Sequence, residues 1–216
     1  YRRAMLSKKL NDAYICCDTR KVLNIAKKFN AKAILTSKKH KCGTDRIAEA
    51  LKKLKKKYDQ IVNIQGDEPL IDPKNIDYVI SHHRKNREYD IILPNLKTKF
   101  SKDPNVVRLI FNKKKQVIYI TRSVTPYQFI SKTNYIFKHL SIVSFKPKAL
   151  IKYTKNKQSK LEKIEDIELL RAIDLGLMIK TFSLKGNSFS IDIKKNLQDA
   201  RKIINKDKFF KKYAKK

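Results

Sequence analysis

The sequence has 216 residues, 41% of them hydrophobic, which is enough to bury the core of one α/β domain. Its formal net charge of +32 is typical of nucleic-acid-binding proteins, but the lysines are scattered over nearly every polar face, so we expect no nucleic-acid partner. No apolar stretch approaches the roughly 20 residues of a membrane-spanning helix and the three cysteines lack zinc-site spacing, which favours a cytoplasmic protein without a membrane partner.

The first 84 residues alternate between short apolar strands and amphipathic helices. Ile47, Leu51 and Leu54 illustrate the helical pattern, because they share one face of a predicted helix and lysines occupy the opposite face. Strands joined by helices of this length imply right-handed crossovers and a mainly parallel sheet with helices on both faces. The predicted strands are 12–17, 32–35 and 61–64, and the predicted helices are 1–10, 19–29, 44–57 and 73–84.

From residue 90 onward, short strands follow one another with turns between them. This change predicts a small antiparallel extension at residues 90–158, within a single domain that covers residues 1–216. Helical spacing returns near Leu161, and Gly176 has the position of a helix cap. The predicted strands are 90–93, 106–112, 116–121, 140–145 and 178–184, and the predicted helices are 161–175 and 196–204.

The most informative stretch follows the predicted strand 61–64 and reads Gln65-Gly66-Asp67-Glu68-Pro69. In open α/β sheets, ligands bind beyond the carboxyl ends of the strands. Carboxylates at such a position are hard oxygen ligands suited to Mg²⁺ and to a nucleotide's phosphates. A solvated turn is the alternative, since Gly, Asp and Pro dominate turns for reasons unrelated to catalysis.

Several motifs along the chain resemble those of the 3-deoxy-manno-octulosonate cytidylyltransferases, also called CMP-Kdo synthetases. A single motif of this kind is weak evidence for a family. The motifs of this chain, however, occur in the same order as those of the family over most of its length. Seven segments of this chain resemble family motifs. They are 42–46 (Ser-Gly-Thr-Glu-Arg in the family), 65–69 (Gln-Gly-Asp-Glu-Pro), 103–108 (Asn-Pro-Asn), 119–126 (Tyr-Phe-Ser-Arg), 138–142 (His-Leu-Gly-Ile), 161–165 (Leu-Glu-x-Ile-Glu) and 190–192 (Val-Asp-Thr-Pro-Glu-Asp).

The resemblance implies a fold of the nucleotide-diphospho-sugar transferase type and activation of 3-deoxy-D-manno-octulosonate (Kdo) with CTP. The products would be CMP-Kdo, for lipopolysaccharide synthesis, and pyrophosphate. It also implies Mg²⁺ as cofactor and a homodimer, with 90–158 serving sugar binding and dimerisation. The implied residues are Asp67 and Asp192 for catalysis and metal, Gly43, Arg46 and Gln65 for the nucleotide, and Gln65, Arg122, His139 and Glu168 for the sugar.

Some features depart from the family. Its first strand and phosphate-binding loop would precede Tyr1, so we expect this chain to lack them and to bind CTP weakly or not at all by itself. Val143, Leu169 and Lys160 replace a tyrosine, a glutamine and a proline at positions implied to lie near the sugar. Activation of 8-amino-Kdo or a nonulosonic acid therefore stays open, as does the different class of a basic nucleic-acid-binding module.

For several candidates an ordinary structural role stays open as well. Arg46 could be a solvated helical arginine, and His139 could be a hydrogen-bonded structural histidine. Glu162, Glu165 and Glu168 are spaced three apart and could simply be solvated on one helix.

Overall fold

A computed structural model describes residues 1–186, 189–191 and 193–213. The chain divides into two compact units. The first unit holds Tyr1–Lys57, Ile64–Ile80 and the described part of 188–216, and the second holds Tyr58–Asn63 and the described part of 81–187. The prediction that residues 1–216 form one domain stays a prediction.

The first unit contains a two-stranded parallel sheet with a helical crossover. β1 (Ile15–Cys17) pairs with β2 (Ala33–Leu35), and α1 (Arg20–Lys28) connects them. The Thr19 side chain accepts a hydrogen bond from the backbone N–H of Val22, which satisfies one of the free donors at the start of α1. The βαβ arrangement that the sequence predicts here is confirmed.

The remaining helices of the first unit are α2, which follows β2, and two helices near the carboxyl end. α3 begins in the residues of the first unit and ends in those of the second. These helices are α2 (Gly43–Leu54), α3 (Pro73–Lys85), α7 (Lys194–Ile204) and α8 (Phe210–Tyr213).

The predicted helix 1–10 is wrong for most of its length. Only Ala4–Leu6 forms a single 3₁₀ turn. After this turn, the Asp77 carboxylate accepts hydrogen bonds from the Ser7 hydroxyl and from the backbone N–H groups of Lys8 and Lys9. This contact between residues about 70 positions apart outweighs the local helical pattern.

The larger sheet of the described chain has seven strands. Six of the strands are paired in the order β3-β8-β4-β7-β5-β6. The central strand β4 pairs with β7 and β8 along one edge and with β9 along the other. The strands are β3 (Ile61–Ile64), β4 (Ile91–Lys99), β5 (Arg108–Phe111), β6 (Val117–Thr121), β7 (Tyr135–His139), β8 (Ile142–Phe145) and β9 (Ile179–Leu184).

A mixed α/β fold is confirmed, but the predicted mainly parallel sheet is not. β4 pairs in parallel with β9, whereas it is antiparallel to β7 and β8, and β5 is antiparallel to β6 and β7. β7 and β8 are successive stretches of one chain segment that runs back along β4. The antiparallel extension thus contributes more of this sheet than the sequence indicates.

The helices of the second unit follow β8. The predicted helix 161–175 is two helices, because Asp166 adopts a left-handed backbone with φ of 51° and ends the first of them. The Arg171 side chain spans this break and forms a buried ion pair of 2.6 Å with Glu162, each side chain being 2% exposed. The three helices are α4 (Pro147–Thr154), α5 (Lys160–Glu165) and α6 (Leu169–Asp174).

The second unit has a dense apolar core on the central strand. Ile91, Ile92 and Leu93 of β4 have no exposed surface, and Leu150 of α4 is equally buried. Burial of such side chains stabilises a fold by about 1.5–3 kcal/mol each. Within the described ranges, the helices are all too short or too polar to cross a membrane.

Candidate functional site

The turn that follows β3 is joined to a distant part of the chain. The Oδ2 atom of Asp67 accepts a hydrogen bond of 3.0 Å from the Ser190 hydroxyl. The backbone N–H of Ile191 donates to the Asp67 carbonyl oxygen at 2.9 Å. Ser190 and Ile191 therefore both contact Asp67. The next residue, Asp192, lies outside the described residues.

The donor chemistry of this turn fits Mg²⁺. In the parts of the chain that the structure describes, His, Cys, Asp and Glu form no cluster of three or more that could hold a metal. Mg²⁺ does not need one, because it commonly takes one or two carboxylates together with substrate phosphates and water. Asp67 and Asp192 would supply two such carboxylates, and their ligation of the ion stays a prediction.

Gln65 and Glu68 flank Asp67 in the same turn. Gln65 is half-buried directly after β3, and its carbonyl oxygen accepts a hydrogen bond of 3.4 Å from the Glu68 N–H. Glu68 is buried, with 8% of its surface exposed. Of the two acids, Asp67 is therefore the more accessible to a ligand.

Arg46 is fixed by contacts to the ends of two strands. Its guanidinium donates to the Thr36 hydroxyl at 2.8 Å and to the Asp18 carboxylate at 3.0 Å. Asp18 follows β1 and Thr36 follows β2, while Gly43 opens the helix that carries Arg46. Arg46 is thus a paired side chain rather than a solvated one, and its predicted role at the nucleotide stays a prediction.

Glu49 organises the loop between β2 and α2, which sequence reasoning missed. Its carboxylate accepts hydrogen bonds from the backbone N–H of Ser37 at 2.9 Å and from Lys53 at 2.7 Å, and it contacts the His40 ring. The Lys53 hydrogen bond, the Ser37 N–H and His40 together lower the pKa of Glu49 to about 2. The i,i+4 spacing of Glu49 and Lys53 was the available sequence signal.

Arg122 joins three segments of the second unit. Its Nε donates to the Glu165 carbonyl oxygen at 2.7 Å, and its two terminal nitrogens donate to the carbonyl oxygens of Pro104 at 3.2 Å and Asp166 at 3.3 Å. The Glu165 carboxylate in turn accepts from the Arg122 N–H and from the Thr121 hydroxyl, both at 2.7 Å. Glu165 is therefore a paired residue and not a solvated one.

A second arginine fixes the same region. Arg108 is 1% exposed and donates to the carbonyl oxygens of Arg122 at 2.7 Å, Val106 at 2.8 Å and Ser101 at 2.6 Å. A buried guanidinium that bonds several carbonyl oxygens holds a loop in one conformation. The segment 103–108, which resembles the Asn-Pro-Asn motif, is thus held by hydrogen bonds from its own Arg108 and from Arg122.

His139 is the end of β7 and lies opposite Asn95 of β4. Burial, together with the smaller effect of the positive charges of Lys138 and Arg122, lowers the pKa of His139 to about 4. The imidazole is therefore neutral near pH 7, and the charge of Arg122 acts on it. The structure brings these two predicted sugar ligands into electrostatic contact.

Glu168 directly precedes α6, two residues after the Asp166 break. Its carbonyl oxygen accepts a hydrogen bond of 2.9 Å from the Tyr153 hydroxyl.

The candidate residues belong to different units. Gly43, Arg46, Gln65 and Asp67 belong to the first unit, whereas the sugar candidates Arg122, His139 and Glu168 belong to the second. The residues that sequence reasoning missed as parts of these arrangements are Asp18, Thr36, His40, Glu49, Arg108, Glu165 and Ser190.

Two of the departures from the family pattern are core residues. Val143 is 3% exposed in β8 and Leu169 is 1% exposed at the start of α6. Side chains so deeply buried do not line an open sugar site. Of the three departures, only Lys160, the exposed first residue of α5, has a solvent-facing side chain.

The mixed α/β fold and the acidic turn at the end of β3 fit a nucleotidyltransferase. A sequence model of the family described as Cytidylyltransferase matches residues 1–180. The chain belongs to this family.

Curated relatives cover nearly the whole chain. It is 35% identical to the 3-deoxy-manno-octulosonate cytidylyltransferase of Thermodesulfovibrio yellowstonii, over 95% of this chain and 86% of the relative. It is 31% identical to the 8-amino-3,8-dideoxy-manno-octulosonate cytidylyltransferase of Shewanella halifaxensis, over 92% of this chain and 83% of the relative.

Solved structures show the same relationship. A structure of CMP:2-keto-3-deoxy-manno-octonic acid synthetase complexed with CTP superposes with a TM-score of 0.87 at 26% identity, covering 95% of this chain and 86% of the other. HddC from Yersinia pseudotuberculosis superposes with a TM-score of 0.59 at 13% identity, covering 88% and 76% of the two chains, which shows a shared fold alone.

Proposed function

We propose that this cytidylyltransferase activates 3-deoxy-D-manno-octulosonate with CTP, giving CMP-Kdo and pyrophosphate for lipopolysaccharide synthesis. The observation that carries the proposal is the 35% identity to a 3-deoxy-manno-octulosonate cytidylyltransferase over 95% of the chain. The TM-score of 0.87 to a CTP-complexed synthetase of the same sugar acid supports it. The seven motifs occur in the family's order across this same span.

In this reaction the anomeric hydroxyl of the sugar attacks the α-phosphorus of CTP and pyrophosphate leaves. Bound Mg²⁺ would neutralise phosphate charge, and Asp67 and Asp192 are the residues that would hold it. The Ser190 hydroxyl orients the Asp67 carboxylate by its 3.0 Å hydrogen bond. The positive end of the α2 helix dipole, beside Gly43, favours negatively charged ligands.

The residues proposed to bind the sugar are Arg122, His139 and Glu168, together with Gln65. Arg122 is an arginine held rigidly by three carbonyl oxygens, and such a side chain can offer its charge to a carboxylate at little entropic cost. His139 is neutral and can both donate and accept a hydrogen bond from a sugar hydroxyl. Glu168 can accept one.

A second acidic sugar is favoured by one observation, the 31% identity to an 8-amino-3,8-dideoxy-manno-octulosonate cytidylyltransferase. The residue differences do not add to it, because Val143 and Leu169 are buried in the core. Kdo therefore stays the leading substrate. Pyrophosphate release measured with Kdo, 8-amino-Kdo and a nonulosonic acid in parallel would rank the three.

The assignment of the metal carboxylates is tested by Asp67→Asn and Asp192→Asn in the full-length protein. Each change removes one negative ligand while keeping the size of the side chain, so Mg²⁺-dependent pyrophosphate release should fall by about 100-fold or more. Asp59→Asn, at an exposed position before β3, is the matched control and should keep normal activity. Near-normal turnover in either active-site variant would contradict the assignment.

We also propose that the protein is a homodimer that associates through the antiparallel subregion 90–158. The loop between β6 and β7 presents Tyr127, Phe129 and Ile130, which are 83%, 84% and 94% exposed. Neighbouring exposed apolar side chains are typical of protein–protein contacts. A cytoplasmic location stays a prediction of the sequence.

A further inference from the structure

Arg3 is a buried arginine near the beginning of the described chain, and the proposed reaction assigns it no role. It is 6% exposed. Its guanidinium lies 5.0 Å from the centre of the Phe209 ring. It also forms a two-point ion pair with Asp207, at 2.6 Å to Oδ1 and 3.1 Å to Oδ2. Burying a charged guanidinium has a desolvation free energy that only well-placed partners offset.

The other contacts of Arg3 are to the acidic turn. Its Nη2 donates to the Leu70 carbonyl oxygen at 2.9 Å, and its Nε donates to the carbonyl oxygen of Ile71. These carbonyl groups lie three and four residues after Asp67, before α3 begins at Pro73. The guanidinium therefore fixes the backbone at the far end of the turn.

The near end of the turn is fixed in a different way. The backbone of Asp67 is held by the Ile191 N–H at 2.9 Å, and its carboxylate is held by the Ser190 hydroxyl at 3.0 Å. The turn is thus held at Asp67 by the late segment and at Leu70 and Ile71 by Arg3. A carboxylate ligand keeps its direction only while the backbone that carries it is held, and groups behind metal ligands commonly change metal affinity 10- to 100-fold.

Asp207 has a second function that keeps Arg3 in place. Its Oδ1 atom accepts hydrogen bonds from the N–H groups of Phe209 at 2.9 Å and Phe210 at 2.7 Å, which fixes the carboxylate at the start of α8. The two oxygens then meet the guanidinium in the bidentate geometry that arginine, unlike lysine, can satisfy.

We propose that Arg3, oriented by Asp207, is a positioning residue for the metal-binding turn 65–71 and sets the affinity of the Asp67 site for a divalent cation. The inference rests on the proposed role of Asp67 as a metal ligand. Through these contacts, residues near both ends of the described chain act on the proposed metal-binding turn.

The test uses Arg3→Lys and Asp207→Asn in the full-length protein. Lysine keeps the charge, but its three donors on one nitrogen cannot bond the two carbonyl oxygens and the two carboxylate oxygens that Arg3 bonds. Asparagine keeps the shape of Asp207 but loses its charge. The probe is Mn²⁺, whose binding in the presence of CTP is followed by electron paramagnetic resonance. Each variant should bind Mn²⁺ about tenfold more weakly, and the Mg²⁺ concentration for half-maximal pyrophosphate release should rise by a similar factor.

Arg2→Lys is the matched control. Arg2 also contacts the carboxyl-terminal helix, donating to the Tyr213 carbonyl oxygen at 2.9 Å, but its guanidinium is directed to Phe29 rather than to the acidic turn. It should leave Mn²⁺ affinity unchanged. Circular dichroism and thermal melting of all variants establish that each is folded at the temperature of the measurement.

Wild-type Mn²⁺ affinity in a folded Arg3→Lys protein would overturn the proposal, as would equal weakening in Arg2→Lys. If Arg3→Lys does not fold, Asp207→Asn decides the question by the same criterion. Asp67→Asn separates the two levels of inference. Unchanged Mn²⁺ binding in that variant would overturn the metal role of Asp67 and this proposal with it, whereas lost binding there together with normal binding in Arg3→Lys would overturn this proposal alone.

Discussion

At the scale of single residues, the surroundings decide what a side chain can do. His139 is a strongly perturbed group, because burial and two nearby cations disfavour its protonated form. His82 and His83 also have lowered pKa values, with burial as the largest cause. These histidines are neutral at pH 7 and bind protons more readily in the unfolded chain than in the folded one.

His139 should therefore make stability depend on pH. Its folded pKa of about 4 lies below the ordinary value of 6.5, so its contribution is complete above pH 6.5 and is lost as the pH falls toward 4. Replacing it in His139→Gln should flatten the plot of unfolding free energy against pH by at most about 1.4 kcal/mol per pH unit. Urea unfolding at several pH values between 4 and 7.5 measures this slope.

Some slope should remain in His139→Gln, since His82 and His83 contribute in the same direction. An unchanged slope would mean that His139 is not the perturbed group. Only the pH dependence is diagnostic here, because the substitution can change stability at every pH by altering the packing at the end of β7.

At the scale of elements, α2 combines structural and chemical requirements. Glu49 binds the loop before α2, and Arg46 binds the residues that follow β1 and β2. These contacts fix the position of the first turn of α2. Gly43, its first residue, is different. A methyl group added there would meet no protein atom within 4 Å, and its backbone needs no positive φ. The fold of α2 itself therefore does not require glycine.

Gly43→Ala should separate folding from nucleotide binding. Alanine is the better helix former, so the unfolding free energy should be unchanged or higher by up to about 1 kcal/mol. If CTP approaches the helix start closely, the added methyl group should weaken its binding about tenfold, or about 1.4 kcal/mol. Calorimetric titration with CTP and urea unfolding give the two quantities.

Lys52→Ala, in the last turn of α2, is the control for a general effect of substitution on the helix. It should leave CTP binding at the wild-type level. Equal CTP affinity in Gly43→Ala and wild type would remove Gly43 from the nucleotide site while leaving Arg46 to be tested by itself.

At the scale of the whole molecule, the +32 charge and the exposed aromatic loop favour different kinds of partner. The charge is spread over the surface, and a diffuse field gives weak, salt-sensitive attraction to polyanions rather than a defined site. Tyr127, Phe129 and Ile130 are instead concentrated in one loop. Apolar side chains gathered in this way lose contact with water when a second copy of the chain covers them.

Phe129→Asp should consequently shift the protein from dimer to monomer, because a carboxylate buried in an apolar contact is strongly unfavourable. Size-exclusion chromatography with light scattering measures the mass directly. Ile164→Asp, at a 68% exposed position of α5, is the control and should remain dimeric. A wild-type protein that is monomeric at micromolar concentration would contradict the dimer proposal outright.

Part of the fold could be read from local patterns. The alternation of apolar strands and amphipathic helices predicted β1, β2, β3, α1, α2 and α3 near their observed positions, and Thr19 marked a helix start through its own side chain. β7 was missed because it is short and its last two residues, Lys138 and His139, are polar, which leaves an apolar run of only three residues. The break at Asp166 was missed because a left-handed backbone is uncommon for any residue other than glycine.

The sequence by itself determined the family, the α/β class and the acidic turn, since these depend on residue types at short and regular spacing. Only the tertiary structure decided which charged residues act together. Arg3 meets an aspartate 204 positions away, and Ser190 meets one 123 positions away. Such pairs leave no periodic signal in the chain, because they arise from folding that brings distant segments into contact and excludes water from between them.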